Sequence, residues 1–202
     1  MYLPDHLAET DPAEALELVR TTGYGHLIAS IDGRIESSPL PFLVDNDLEV
    51  ITGHLARRNP LTDADGLDAL LVIPVTDAYV SPSWYPSKAD DGRVVPTWNY
   101  EVVHLRGTLR LHADPAWKLA LVTRLTDRHE STMPTPWRVS DAPDDFIDKQ
   151  LRAIVGIELE VTEVTAKRKL SQNLSEADRL GAQASLAAGG PRSEAVAQAM
   201  ER

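Results

Sequence analysis

With 202 residues the chain has room for one sizeable core, or one domain and a tail, and its 43% apolar and 25% charged content is that of an ordinary globular protein. It has no cysteine, which excludes disulfides, thiolate metal sites and a cysteine nucleophile. The net charge of -11 sets the chain as a whole against phosphate backbones and anionic lipids, so a polyanion would need a local basic patch, whereas a single phosphate needs only a few donors.

The opening segment, MYLPDHLAETDP, has neither the basic start nor the apolar run of a signal peptide, and no apolar stretch approaches the roughly 18 residues of a spanning helix. The expected address is the cytoplasm, with no membrane contact. Asp11 before Pro12 reads as a helix cap, and Ala15, Leu16 and Val19 form an apolar stripe that ends at Gly23. Tyr24 to Ile31 reads as a strand, Asp32-Gly33 as a hairpin turn, and Arg34 to Val44 as the return strand, in which Pro39 and Pro41 suggest an edge or a bulge. After the turn Asp45-Asn46-Asp47, Leu48 to Thr52 is a further strand. Ala69 to Val75 is an almost continuous apolar run, suited to a central strand covered on both faces.

From Glu101 to Leu111 the pattern alternates, Val103, Leu105, Leu109 and Leu111 against His104, Arg106 and Arg110. Asp114-Pro115 starts a helix with Trp117, Ala120, Leu121 and Leu125 on one face, and Pro143 starts another with Ile147, Leu151 and Ile154. Ile157, Leu159 and Val161 alternate as a last strand; Ser175 with Asp178 resembles a capping box before a helix through Leu186. About six strands with short helices predict a mainly β, α+β fold, an antiparallel barrel with flanking helices. We expect one domain over residues 1–186 and a tail over 187–202, mobile or forming a short docked helix.

Three polar or aromatic segments interrupt the strands. Gly53 to Pro60 combines a glycine, Arg57, Arg58 and Asn59, the donor types that grip a phosphate; the competing reading is a solvated loop. Tyr79 to Lys88, with Pro96 to Tyr100, concentrates aromatics and hydroxyls that suit a planar heteroaromatic ligand, or equally a satellite aromatic core. Lys167-Arg168-Lys169 is a weak basic run, but Ser171-Gln172-Asn173 behind it adds directional groups for a polar ring edge. The six histidines show no ligand spacing, so no metal is expected, and no GxSxG, GxxxxGK[ST] or GxGxxG motif is present. No proton donor stands out, so no catalytic residue is assigned.

Met1 to His6, Gly53-His54-Leu55-Ala56-Arg57 with Asn59-Pro60, Ser81 to Lys88, Val95 to Tyr100 with His104, Ala153 to Ile157 and Lys169 to Asn173 together resemble the PaiB family of FMN-binding negative transcriptional regulators, over nearly the whole chain to about Leu186. The resemblance implies a split β-barrel, flavin mononucleotide (FMN) as cofactor, a homodimer with two flavin sites at its interface, and a regulatory role. It implies cofactor contacts at His54, Arg57, Arg58, Asn59, Ser81, Ser83, Trp84, Lys88, Trp98, Asn99, Lys169, Gln172 and Asn173. Arg57, Asn59 and, in a secondary place, Arg58 would hold the phosphate, with Trp84, Trp98 and Lys169 to Asn173 nearer the ring. DNA contact finds no support in the charge, and no basic reading helix is apparent. The rival reading is an oxidoreductase passing electrons through FMN from a reduced nicotinamide; a weaker third is a module that binds flavin or another planar ligand such as haem without turnover.

Overall fold

Turn chemistry sets most element boundaries. The computed structural model describes all 202 residues. It contains strands β1 (Ala8–Glu9), β2 (Tyr24–Ile31), β3 (Arg34–Val44), β4 (Val50–Ala56), β5 (Asp68–Val80), β6 (Thr97–His112) and β7 (Ile154–Lys169). The helices are α1 (Pro12–Thr22), α2 (Pro115–Glu130), α3 (Asp144–Ala153), α4 (Glu176–Ala187) and α5 (Pro191–Ala199). The sheet is ordered β1-β7-β4-β3-β2-β5-β6, and β7 also pairs with β6. The mainly β split-barrel architecture expected from the sequence is thus present, with β1 as a two-residue strand that no periodicity could reveal.

The chain forms two compact units, one of Met1–Leu18, Pro74–His104 and Thr165–Arg202, the other of Val19–Ile73 and Leu105–Val164. In the second unit β2 and β3 form the Asp32-Gly33 hairpin, with both turn residues at positive φ. β2 pairs β5, β3 pairs β4 and β4 pairs β7, all antiparallel. Alternation then points Leu27, Leu40, Phe42, Ile51, Leu71, Ile73, Leu105, Leu109, Ile157 and Leu159 inward, each no more than 2% exposed. α2 lies over this unit through Leu121 and Leu125, which pack with Leu43 and Trp117.

Several local expectations need correction. β3 is an interior strand, not an edge: Pro39 and Pro41 face β2 residues His26 and Tyr24, while pairing with β4 starts only at Phe42, so the prolines occupy a stretch where the other flank is unpaired. The run Ala69–Val75 is covered on one face: Ala69, Leu71 and Ile73 are buried, whereas Leu70 and Val72 are half-buried and Pro74 is exposed, as a closed ring with one interior demands. Ile154 starts β7 rather than ending α3, and β6 begins at Thr97, four residues before its clear alternation. Each of the three interrupting segments begins on a strand end and then leaves the sheet: Gly53–Ala56 completes β4, Tyr79 and Val80 complete β5, and Lys167–Lys169 completes β7.

The first unit has its own core, in which Val80, Tyr85 and Leu170 meet Ala182 and Leu186 of α4 and Val196, Ala197 and Ala199 of α5. α4 is capped by Ser175, whose side chain accepts the Asp178 N–H. Gly181 permits its closest approach, because a Cβ there would collide with the Trp84 carbonyl oxygen.

Candidate functional site

In the second unit the strand end at Ala56 leads into the cation pair. Asn59 organises the turn that follows: its side-chain oxygen accepts from Leu61 N–H at 2.9 Å and its amide donates to Ser38 Oγ at 2.7 Å. Arg57 donates from its backbone to the Ala153 carbonyl at 2.8 Å, from Nε to the Arg152 carbonyl at 2.6 Å and from Nη2 to that of Ile154 at 3.5 Å. These acceptors belong to the last turn of α3 and the start of β7, where helix carbonyls lack internal partners. Lys118, 2% exposed on α2, reaches the same place, donating to the carbonyls of Leu151 at 2.6 Å and Ile154 at 3.3 Å. Burial, then the Arg57 guanidinium, pulls the Lys118 amine below the usual lysine range, with Asp114 opposing.

Arg57 therefore has two tasks available. Nε and Nη2 hold the α3–β7 junction, and Nη1 remains for an anion. Arg58 is exposed beside it. His54 projects from the opposite face of β4 to Gly53 and Leu55; its Nδ1 is buried without a hydrogen-bond partner, and burial lowers its pKa, so the ring is neutral near pH 7. A buried ring nitrogen with nothing to bind is what a polar ligand atom would satisfy.

In the first unit the aromatic segment is a pair of 3-10 turns, Pro82–Trp84 and Pro86–Ala89. Ser81 caps the first, accepting from Ser83 N–H at 3.2 Å, and Lys88 Nζ donates to Ser83 Oγ at 2.9 Å. Trp98 is 53% exposed and meets Tyr79 edge-on, centroids 6.2 Å apart. Lys169 Nζ donates to Thr97 Oγ1 and to the Trp98 carbonyl, both at 2.6 Å, and lies 6.0 Å from the Tyr100 ring centre. Burial and Lys167 lower its pKa. Asn99 is fully buried, accepting from Ser171 Oγ at 3.1 Å and facing Met200 Sδ from Nδ2 at 3.5 Å. Ser171 sits at φ +65, and Gln172 folds back to bond Leu170 N–H and the Arg168 carbonyl, so the turn is pinned while Asn173 stays exposed.

The structure thus gathers Trp98, Asn99 and Lys169 in this unit and, separately, Arg57, Arg58 and Asn59 in the other. The sequence reading took Asp178 only for a helix cap and missed its contact with Ser87. Asp178 is buried on α4 and accepts from Ser87 N–H at 3.0 Å and Ser87 Oγ at 2.8 Å, tying the aromatic segment to the helix. The Ser87 backbone bond, the largest influence, holds its carboxyl below the usual range against the opposing effect of burial. A carboxylate with a depressed folded-state pKa stabilises the fold above the unfolded value of about 4 and loses that contribution as pH falls through the folded value. Asp178→Asn should accordingly lower the melting temperature at neutral pH and flatten its decline in acid; equal acid slopes for both proteins would contradict this role.

The donor chemistry fits a phosphate at Arg57 and flat aromatic surface at Trp98. Residues 1–163 match the family model described as "Putative FMN-binding domain". The protease synthase and sporulation protein PAI 2 of Bacillus subtilis is 30% identical over 184 residues, covering 88% of this chain and 85% of that protein. Among solved structures, the FAD and heme binding protein of Mycobacterium smegmatis aligns with TM-score 0.62 at 18% identity, over 91% of this chain and 80% of that one. The flavocytochrome Anf3 of Azotobacter vinelandii aligns with TM-score 0.61 at 16% identity, over 89% and 78%. At those identities the structural likeness establishes the fold, and the family match with the PAI 2 relative establishes the lineage: the chain belongs to the PaiB family of FMN-binding proteins, and its cofactor is FMN.

Proposed function

We propose that this protein is a cytoplasmic, homodimeric negative regulator of transcription that works through bound FMN rather than by gripping DNA itself. The regulatory part rests on the kinship with PAI 2; the observation that carries the rest, that DNA is not gripped directly, is the fate of the basic run Lys167 to Lys169. Lys167 donates to the Tyr2 carbonyl at 3.1 Å and is 7% exposed; Arg168 is paired with Glu9 and Glu101; Lys169 is spent on Thr97 and Trp98. Cations held inside the fold release no counterions from a duplex, and the charge of -11 opposes approach. A mobility-shift titration at physiological salt should show weak, sequence-indifferent binding; tight, competitor-resistant binding to one promoter would refute the proposal.

In this reading Arg57 grips the FMN phosphate, positioned by the α3 carbonyls and by the turn that Asn59 organises, with Arg58 adding charge. Trp84 and Trp98 offer aromatic faces, and His54 Nδ1 and the Lys169 to Asn173 segment offer polar edges. Ser81, Ser83 and Lys88 set the aromatic segment. FMN, when bound, supplies one- and two-electron redox chemistry. Arg57→Ala should weaken FMN by about 1.5–3 kcal/mol while sparing riboflavin, which lacks the phosphate. Titration of both ligands decides it, and equal losses would reassign Arg57 to the fold.

A second reading, an oxidoreductase that accepts electrons from a reduced nicotinamide, fits a bound flavin equally well. Adding reduced nicotinamide without oxygen separates the two, since only the enzyme would bleach its flavin at a catalytic rate.

A further inference from the structure

A cleft of about 720 Å³ opens in the second unit between α2, α3 and the 3-10 turn Val139–Asp141. None of the cofactor contacts assigned above lines it; Leu151 alone is shared, through its carbonyl to Lys118. Its walls are Leu119 and Thr123 of α2, Val139 of the turn, and Ile147 and Leu151 of α3. The gap follows from how α3 packs: of its ten residues only Leu151 is buried, and Ile147, one turn earlier on the same side, stays half-covered. Around this apolar floor stand Asp127, Asp144 and Asp148, with Arg138 as the one basic side chain. None of the three carboxylates is taken up in an ion pair.

We propose that this cleft binds a small amphipathic organic cation, its hydrocarbon part against Leu119, Val139, Ile147 and Leu151 and its ammonium among Asp127, Asp144 and Asp148. The volume is that of a small-molecule site, typically about 300–1,000 Å³, rather than of a flat protein interface. The charge decides the kind of ligand. Three carboxylates against one guanidinium leave the rim negative, so an anion of the same hydrocarbon size is repelled and a cation attracted. An alkyl chain ending in ammonium satisfies both the floor and the rim, which neither a hydrophobe nor a free inorganic cation does.

The test uses the purified full-length protein loaded with FMN and calorimetric titration with n-hexylammonium and, as the matched anion, hexanoate. Saturable binding of one n-hexylammonium per chain is expected at about 1 mM or tighter, the range open to so small a ligand. Hexanoate should bind at least about tenfold more weakly, since only the sign of the head group differs. The double variant Asp127→Asn/Asp148→Asn, altered at two exposed positions, should lose about three- to tenfold in affinity for the cation and respond less to added salt. Ile147→Trp, which fills the floor, should abolish binding while flavin absorbance and melting temperature stay near those of the parent. Equal binding of the anion, no saturable binding of the cation at millimolar concentration, or unchanged affinity in the aspartate variant would each overturn the proposal. If Ile147→Trp unfolds, the aspartate variant and the anion comparison still decide the matter.

Discussion

Arg168→Met should cost about 3–5 kcal/mol, the range for removing one partner of a buried ion pair. Glu101 is 1% exposed on β6, and Arg168 meets it from Nε at 2.8 Å while its Nη1 bonds Glu9 at 3.1 Å and its Nη2 the Ala199 carbonyl at 3.3 Å. Without Arg168 the Glu101 carboxylate keeps only Arg202 at 3.1 Å, a side chain that is 52% exposed and correspondingly screened. That residual contact places the expectation near the lower bound, a drop of roughly 6–12 °C in melting temperature for a chain of this size. Adding Glu101→Leu to Arg168→Met should restore much of the loss, because a well-packed apolar pair needs no desolvation. Thermal unfolding of the parent, both single variants and the double variant checks this. A double variant as unstable as the sum of the singles would show that the pair contributes no coupling.

The second large effect is expected at Gly107, where β6 runs directly against the backbone of β7. A Cβ there would strike the Glu160 carbonyl oxygen and stand 2.7 Å from its carbon and 3.0 Å from Val161 Cα. These are backbone atoms of a paired strand, and no rotamer change can move them aside. Gly107→Ala should therefore cost about 3 kcal/mol or more, at or beyond the upper end of ordinary overpacking, by prising open the pairing that closes the ring of strands. Gly190→Ala is the control without close approach: φ is -78, nothing lies within 4 Å of the new Cβ, and the loss of Gly as N-cap of α5 is offset by alanine's smaller unfolded-state entropy, so a net change under about 1 kcal/mol is expected. Urea unfolding of the three proteins distinguishes them, and similar losses at both glycines would mean that close approach is not what Gly107 provides.

What could be read in the sequence was what short stretches determine by themselves. The Asp11-Pro12 and Asp114-Pro115 caps, the Asp32-Gly33 hairpin and the alternation around Val103 each need only neighbouring residues, and each falls where expected. Long-range burial was not legible. Glu101 and Lys118 look like surface charges until strands and helices distant in sequence bring Arg168 to one and the carbonyls of Leu151 and Ile154 to the other. The same holds for Asp178, whose partner Ser87 lies 91 residues away. At the candidate site the residue types were readable and their prior commitments were not: nothing in the local pattern indicates that Arg57 already serves two carbonyls, or that Lys169 is occupied by Thr97 and Trp98.

The amine of Lys118 has one more property. Held under the end of α3 with a lowered pKa, it is shielded from reagents in the closed fold, yet a larger fraction of it would be uncharged than in an ordinary lysine. Any fluctuation that lifts the last turn of α3 removes that burial and brings the amine within reach of a reagent. The rate at which an acid anhydride modifies this one position, followed by mass spectrometry, is consequently a clock for the opening of the same junction on which Arg57 rests, and it can be timed with FMN present and absent.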